Sequence, residues 1–149
     1  MFQKILVPTD GSEFSLAAAR RVISFAKEAG AKVVALNVKP EYPISYYSAA
    51  EFDSDQLKSP VQFDEDSEKQ AQKVLSEIQN LCEEAGVDCT KVTKAGGTVY
   101  KAILETATEC ACDLIFMAKH GRHGVGALLM GSETNKVLTH SKIPVLVYR

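Results

Sequence analysis

Short apolar runs alternate along this chain with longer segments whose apolar residues recur every three or four positions. The runs of strand length are 2–7, 32–38, 87–94, 113–118 and 144–148. The segments of helical period are 13–30, 64–85, 98–110 and 132–140. A strand, a helix and a second strand make a right-handed βαβ unit. The alternation therefore predicts an α/β fold, a five-stranded parallel sheet with helices on both faces.

One segment breaks this rhythm. Residues 39–66 hold three of the five prolines and three of the five tyrosines, together with many acids, and show no sustained period. Because the alternation resumes beyond them, we expect an irregular excursion inside a single domain, 1–149. Elsewhere the helix ends are marked: Ser12 is placed to cap the first helix, whose apolar face starts at Phe14, and Gly30 and Gly86 are placed to end two helices.

Composition and charge exclude several classes of protein. Of the 149 residues, 46% are hydrophobic and 24% charged, the balance of an ordinary globular domain. The net charge of −2 comes from interspersed signs, so we expect no nucleic-acid partner. No apolar run is long enough to cross a bilayer, and the N-terminus lacks the pattern of a signal peptide. We therefore expect a cytoplasmic protein without a membrane partner.

Catalytic and metal-binding motifs are sparse. The chain contains neither GxSxG nor the Walker pattern GxxxxGK[ST], so its status as an enzyme stays open, with slow ATP hydrolysis as the most that we expect. Cys110 and Cys112 form a CxC at a predicted helix end, without a second pair at zinc spacing. We predict free thiols there and no protein-built metal site.

The strand order decides where a ligand would bind. In the common order 3-2-1-4-5 the sheet reverses direction between the first and fourth strands, and ligands bind beyond the carboxyl ends of the strands at that point. Pro8, Thr9 and Asp10 leave the first strand, and the glycine-rich segment 118–124 leaves the fourth. The two segments would then face each other across one crevice.

Several segments together resemble the universal stress protein family. They are 4-KILVPTDGSEFSLAA-18, MAKHG followed by GALLMGSETNKVL, and the ending 143-IPVLVYR-149. The resemblance covers the whole chain, with the segments in the right order and at the right intervals. It implies the order 3-2-1-4-5 of an adenine nucleotide alpha hydrolase-like fold, a homodimer, and in one subgroup a bound ATP; another subgroup binds no nucleotide.

The motif of the ATP-binding subgroup, G-x2-G-x9-G-[S/T], matches this chain at three of four positions. Its positions fall on Ala118, Gly121, Gly131 and Ser132, with Lys119 and His120 between the first two. Alanine therefore replaces the first glycine. A methyl group there obstructs little if φ is negative and much if φ is positive.

The helix that follows Gly131 is expected to receive phosphate. Free N–H groups at its start, with the hydroxyls of Ser132 and Thr134, would bind phosphate oxygens. Glu133 would repel phosphate if turned toward it, and Lys119, Arg122 and His123 would offset that repulsion. The alternative is that Ser132 is only an N-cap and that the basic residues are solvated.

Two further residues acquire roles from the resemblance. Asp10 would contact the adenosine part of ATP, and its carboxylate could also help to hold Mg²⁺ near the phosphates; alternatively it forms an Asx turn. Val38 would flank the adenine, or is plain core.

The last strand and the motif lead to two hypotheses of function. Residues 144–148 form an uncharged edge strand that predicts pairing with a second copy. The first hypothesis is a nucleotide-responsive stress protein, a homodimer whose contact with an unknown protein partner depends on ATP. The second is an interaction module of the same fold that binds no nucleotide.

Overall fold

The computed structural model describes residues 1–43, 58–120 and 130–149. Its strands are β1 (Lys4–Pro8), β2 (Lys32–Lys39), β3 (Cys89–Ala95), β4 (Leu114–Ala118) and β5 (Val145–Tyr148). Its helices are α1 (Glu13–Ala29), α2 (Pro60–Ala85), α3 (Val99–Glu109) and α4 (Ser132–His140). Every strand pairing is parallel and the order is β3-β2-β1-β4-β5. The predicted fold class and strand order are thus confirmed.

Two apolar layers cover the sheet, because successive strand side chains point to opposite faces. Ile5 and Val7 join the layer that α1 and α2 cover, while Leu6 joins the layer under α3 and α4. All three side chains are fully buried. Burial on both faces explains why the central strands are continuous apolar runs.

The predicted ends of α1 are confirmed. The Ser12 hydroxyl accepts a hydrogen bond from the N–H of Ser15, and Gly30 ends the helix in the left-handed conformation at φ 68°. Phe14 was wrongly assigned to the buried face. Its side chain is 55% exposed, and its ring meets that of His120 edge-on with centroids 5.9 Å apart.

The irregular segment predicted over 39–66 is too long at both ends. Lys39 is the last residue of β2, and α2 starts at Pro60, four residues before the predicted start. Ser59 and Gln62 form a reciprocal capping box, and Pro60 occupies the first helical position, where its missing N–H is not needed. Residues 44–57, the middle of the predicted excursion, lie outside the described residues.

Within the described ranges, no helix is both long enough and apolar enough to cross a bilayer.

Asp113 fastens the start of β4 to the start of β1. Its carboxylate accepts hydrogen bonds from the N–H groups of Gln3 (2.8 Å) and Lys4 (3.0 Å). Burial raises the pKa of Asp113, but the backbone hydrogen bonds together lower it by more. The net result is a pKa below the ordinary value. The charged carboxylate therefore stabilises the fold.

We expect Asp113→Asn to destabilise the protein at pH 7 by about 1 kcal/mol, because the charged acceptor is lost. Since the pKa of Asp113 is lowered on folding, its contribution is complete above the unfolded value and disappears as the pH falls through the folded value. Urea unfolding of both proteins between pH 7 and pH 3 checks this. A difference in unfolding free energy that stays constant over that range would contradict it.

Candidate functional site

A cavity of about 630 Å³ lies beyond the carboxyl ends of β1, β2 and β4. The first half of α2 forms one wall of it, and the starts of α3 and α4 form the opposite wall. Of the predicted site residues, those on its wall are Pro8, Thr9, Asp10, Val38, Ala118, His120, Gly131, Ser132, Glu133 and Thr134. Lys119 does not line the cavity, and Gly121 lies outside the described residues, as do Arg122 and His123.

Short polar contacts fix the chain that leaves β1. The Thr9 carbonyl accepts a hydrogen bond from Asn37 Nδ2 at 3.0 Å, and the Thr9 and Ser15 hydroxyls lie 3.1 Å apart. Asp10 Oδ1 accepts the N–H of Ser12 at 2.9 Å, which is the Asx turn that the sequence left as an alternative. Asp10 thus starts α1 while it also lies on the cavity wall.

Alanine at position 118 fits the backbone without strain. Among the described residues other than glycine, only Ala111 has a positive φ, so Ala118 has the negative φ of a strand residue. Its side chain, 9% exposed, packs in the layer under α1 and α2. The missing motif glycine therefore costs no backbone distortion at this position.

Close packing favours glycine at position 131. Its N–H donates to the Lys119 carbonyl at 2.9 Å, and a Cβ built at Gly131 would lie 3.1 Å from that same oxygen. Its φ of −58° is open to any residue, so close approach rather than conformation selects glycine here. The contact holds the start of α4 against the chain that follows β4.

The first turn of α4 faces the cavity without a side-chain cap. Gly131 is the N-cap residue and Ser132 is the first helical residue, so the alternative of Ser132 as the N-cap is wrong. The hydroxyl of Thr134 is buried and donates to the Ala118 carbonyl at 3.0 Å, so its proton is engaged within the protein. The Ser132 hydroxyl and the N–H groups of this turn remain the suitable anion donors.

Glu133 is turned toward α3. One carboxylate oxygen accepts the N–H of Tyr100 at 2.9 Å, and the other pairs with Lys136 Nζ at 3.1 Å. Thr98, the N-cap residue of α3, makes no capping hydrogen bond with its own side chain. Glu133 therefore caps a neighbouring helix, and its negative charge is partly compensated before any anion enters.

The lysines on the cavity wall already have acidic partners. Lys39 Nζ lies 3.0 Å from Glu68 and 3.3 Å from Asp64, and its hydrogen bond to Glu68 is the largest cause of its raised pKa. Lys58 pairs with Asp66 at 2.5 Å. The acids belong to the first half of α2, so these ion pairs connect that wall to β2 and to the chain before α2.

The wall formed by α2 was missed by the sequence analysis. Its cavity-facing residues are Phe63, Asp66, Ser67, Gln70, Ala71 and Val74. Four of them, Phe63, Ser67, Gln70 and Val74, recur at intervals of four, three and four. That spacing, together with Ser59 and Gln62 as a capping pair, was the signal that would have found this wall.

His120 presents an unusual polar group to the cavity. Both of its ring nitrogens are buried, and neither has a hydrogen-bond partner among the described residues. Phe14 covers one side of the ring. A buried nitrogen without a partner is costly, so His120 is suited to meeting a polar ligand atom.

The described residues offer no cluster of three or more His, Cys, Asp or Glu side chains that would bind a metal. A magnesium ion at Asp10 would therefore take most of its ligands from phosphate oxygens and water.

Comparison with known proteins agrees with this geometry. The model of the universal stress protein family matches residues 1–149. A universal stress protein of Methanocaldococcus jannaschii, MJ0531, is 32% identical, with 100% of this chain and 83% of that protein covered. Among solved structures, a universal stress protein in complex with cAMP has a TM-score of 0.72 at 23% identity, covering 99% of this chain and 97% of the other. The universal stress protein of Archaeoglobus fulgidus in complex with dAMP has a TM-score of 0.70 at 17% identity, covering 99% and 98%.

We expect Glu133→Ala to lower the unfolding free energy by about 1 kcal/mol, because the Tyr100 N–H loses its acceptor. Glu133→Gln is the matched control, since its amide oxygen can still accept that hydrogen bond. Urea unfolding of the two variants and the parent gives the comparison. Equal losses in both variants would show that the charge, and not the cap, carries the effect.

Proposed function

The chain belongs to the universal stress protein family, and on that premise we propose that its cavity binds an adenine nucleotide, with ATP as the ligand in the cell. The observation that carries this proposal is the coincidence of two features. One is a cavity of about 630 Å³, the size expected of a small-molecule site. The other is the uncapped start of α4 on its wall.

The start of α4 supports the phosphate end of this assignment. Unpaired N–H groups and the helix dipole favour an anion there. Glu133, which would oppose a phosphate, points to Tyr100 and Lys136 instead. His120 adds a buried ring nitrogen that can donate to an oxygen of the ligand.

An apolar area of the cavity wall, with Asp10 close to it, suits a base and a sugar. Val38, Ile103 and Met117 give it an apolar surface, and Val38 packs against the buried layer without being fully buried itself. Asp10 has carboxylate oxygens of the kind that accept hydrogen bonds from ribose hydroxyls. The family resemblance likewise implies that Val38 flanks the adenine and that Asp10 contacts the adenosine part.

The ligands of related structures support an adenine nucleotide. One universal stress protein was solved with cAMP and another with dAMP, and both ligands consist of adenine, a sugar and one phosphate. ATP adds two phosphates to the adenine, sugar and first phosphate, and we assign these two to the start of α4. Asp10 would help to hold a Mg²⁺ ion that offsets their charge. The protein then acts in the cytoplasm as a stress-response dimer whose contact with a protein partner changes with nucleotide.

A nucleotide-free interaction module is the second candidate. Three acids, Asp10, Asp66 and Glu133, lie on the cavity wall, and both wall lysines are already paired with carboxylates. A polyphosphate entering this cavity has to overcome that balance of charge.

Denaturing extraction followed by mass spectrometry, and calorimetric titration with ATP, ADP, AMP and adenosine with and without Mg²⁺, separates the two candidates. The proposal predicts a released adenine nucleotide or saturable binding of ATP. No released nucleotide and no binding at millimolar ATP would leave the interaction module.

We expect Ser132→Glu to weaken ATP binding by roughly tenfold or more, because a carboxylate at the start of α4 repels phosphate. The same charge suits the helix dipole, so the unfolding free energy should not fall. Ser132→Gln is the uncharged control, and adenosine should bind all three proteins alike. Equal ATP affinity of the Glu and Gln variants would place the phosphates elsewhere.

For the homodimer we propose pairing through the free edge of β5. The N–H of Ile115 donates to the Pro144 carbonyl and that of Lys119 to the Tyr148 carbonyl, so the even-numbered residues of this strand face β4. In a parallel pairing the odd-numbered residues, Val145 and Val147, then point their backbone groups outward.

Val147→Pro removes one outward N–H and leaves the pairing with β4 intact. We expect the parent to be a dimer in sedimentation at micromolar concentration and Val147→Pro to be largely monomeric with an unchanged circular dichroism spectrum. Val147→Thr, which keeps the N–H, should remain dimeric. A monomeric parent would contradict the proposal.

A further inference from the structure

Two cysteines meet at the end of the sheet opposite the cavity. Cys82 lies in the last turn of α2 and is fully buried, and Cys89 is the first residue of β3 and only half-buried. Gly86, at φ 74°, and a hydrogen bond of 2.8 Å from the Val87 N–H to the Cys82 carbonyl turn the chain back tightly between them. Both cysteines pack in the same apolar layer, and their thiols lie close enough for each to shift the pKa of the other.

We propose that Cys82 and Cys89 are a peroxide-oxidised pair that closes reversibly into a disulfide, with Cys89 reacting first and Cys82 resolving it. Oxidation of this pair does not require nucleotide binding, because the two cysteines lie at the amino ends of the strands and the cavity lies at their carboxyl ends.

The surroundings of the two sulfurs divide these roles. The interaction with the Cys82 thiol is the largest cause that holds the pKa of Cys89 below its ordinary value. A hydrogen bond with the backbone of Ala35 and the charge of Lys91 also lower it, against the opposing effect of burial. The interaction between the two thiols and burial raise the pKa of Cys82. Since the thiolate is the reactive form, the more accessible Cys89 is also the better nucleophile.

The chemistry balances with hydrogen peroxide as the oxidant. Cys89 first loses its proton to solvent, and the thiolate attacks one peroxide oxygen: an S–O bond forms, the O–O bond breaks, and the departing hydroxide takes a proton back from solvent to become water, which leaves a sulfenic acid on Cys89. The Cys82 sulfur then attacks the Cys89 sulfur, the S–S bond forms, and the hydroxyl departs with the Cys82 proton as a second water.

The other two cysteines provide an internal comparison. Cys110 and Cys112 belong to the layer under α3 and α4, so the sheet separates them from the Cys82–Cys89 pair. Burial raises the pKa of the Cys112 thiol to about 11. We expect it to react more slowly than Cys89.

Peptide mapping after proteolysis can detect the Cys82–Cys89 disulfide directly. Trypsin releases residues 74–91 as one peptide that contains both cysteines, and cleavage after Glu83 or Glu84 separates them. The full-length Cys110→Ser/Cys112→Ser variant is treated with hydrogen peroxide and alkylated under denaturing conditions. The expected product is a 74–91 peptide lighter by two hydrogen atoms, which becomes two linked peptides after cleavage at glutamate, with both thiols recovered in dithiothreitol.

Single variants assign the order of events. In Cys82→Ser, Cys89 should stop at a sulfenic acid that dimedone traps; in Cys89→Ser, peroxide-dependent loss of the Cys82 thiol should slow by roughly tenfold or more. Two free thiols after excess peroxide would overturn the proposal. So would a Cys89 sulfinic acid with Cys82 still reduced, or oxidation of Cys82 at an undiminished rate in Cys89→Ser.

Discussion

The reversal of strand order between β1 and β4 is the constraint on which the remaining architecture depends. The central residues of both strands are buried on both faces, so polar side chains are disfavoured there. The chain therefore places its polar and flexible residues where these strands end, and parallel pairing brings those ends to one edge. The cavity follows from this arrangement more than from any single residue. The segment Pro8–Asp10 lies beside Ala118 only because β1 pairs with β4.

The base of α4 is held by a small set of contacts. The N–H of Gly131 bonds to the Lys119 carbonyl, the Thr134 hydroxyl bonds to the Ala118 carbonyl, and Glu133 bonds to the start of α3. Gly131 is a position of the nucleotide motif, Thr134 was expected to bind phosphate, and Glu133 was expected to oppose it. The glycine, threonine and glutamate hold the uncapped turn in place, and that turn is what remains for an anion.

The sequence predicted the fold well because the signals were local. The spacing of apolar residues and the helix caps, such as Ser12 and Gly30, depend on residues that are close together in the sequence. The start of α2 at Pro60 was missed because prolines and acids in 39–66 were weighed as breakers, although Pro60 is favourable at a first helical position. The partners of Glu133 and Thr134 lie on other elements, so only three-dimensional packing reveals them. Whether φ at Ala118 suits alanine was likewise a question that only the structure could answer.

Helix α2 is long in relation to the sheet that it covers. Its 26 residues extend for about 39 Å, whereas the strand beneath it, β2, has 8 residues. One end of the helix forms a wall of the cavity, and the other end is buried beside β3 at Cys82. One buried face runs through both regions, from Ala71 at the cavity to Cys82 beside β3. Because side chains packed along one continuous helix do not shift independently, the position of the cavity wall depends on packing along the whole helix, including the end farthest from it.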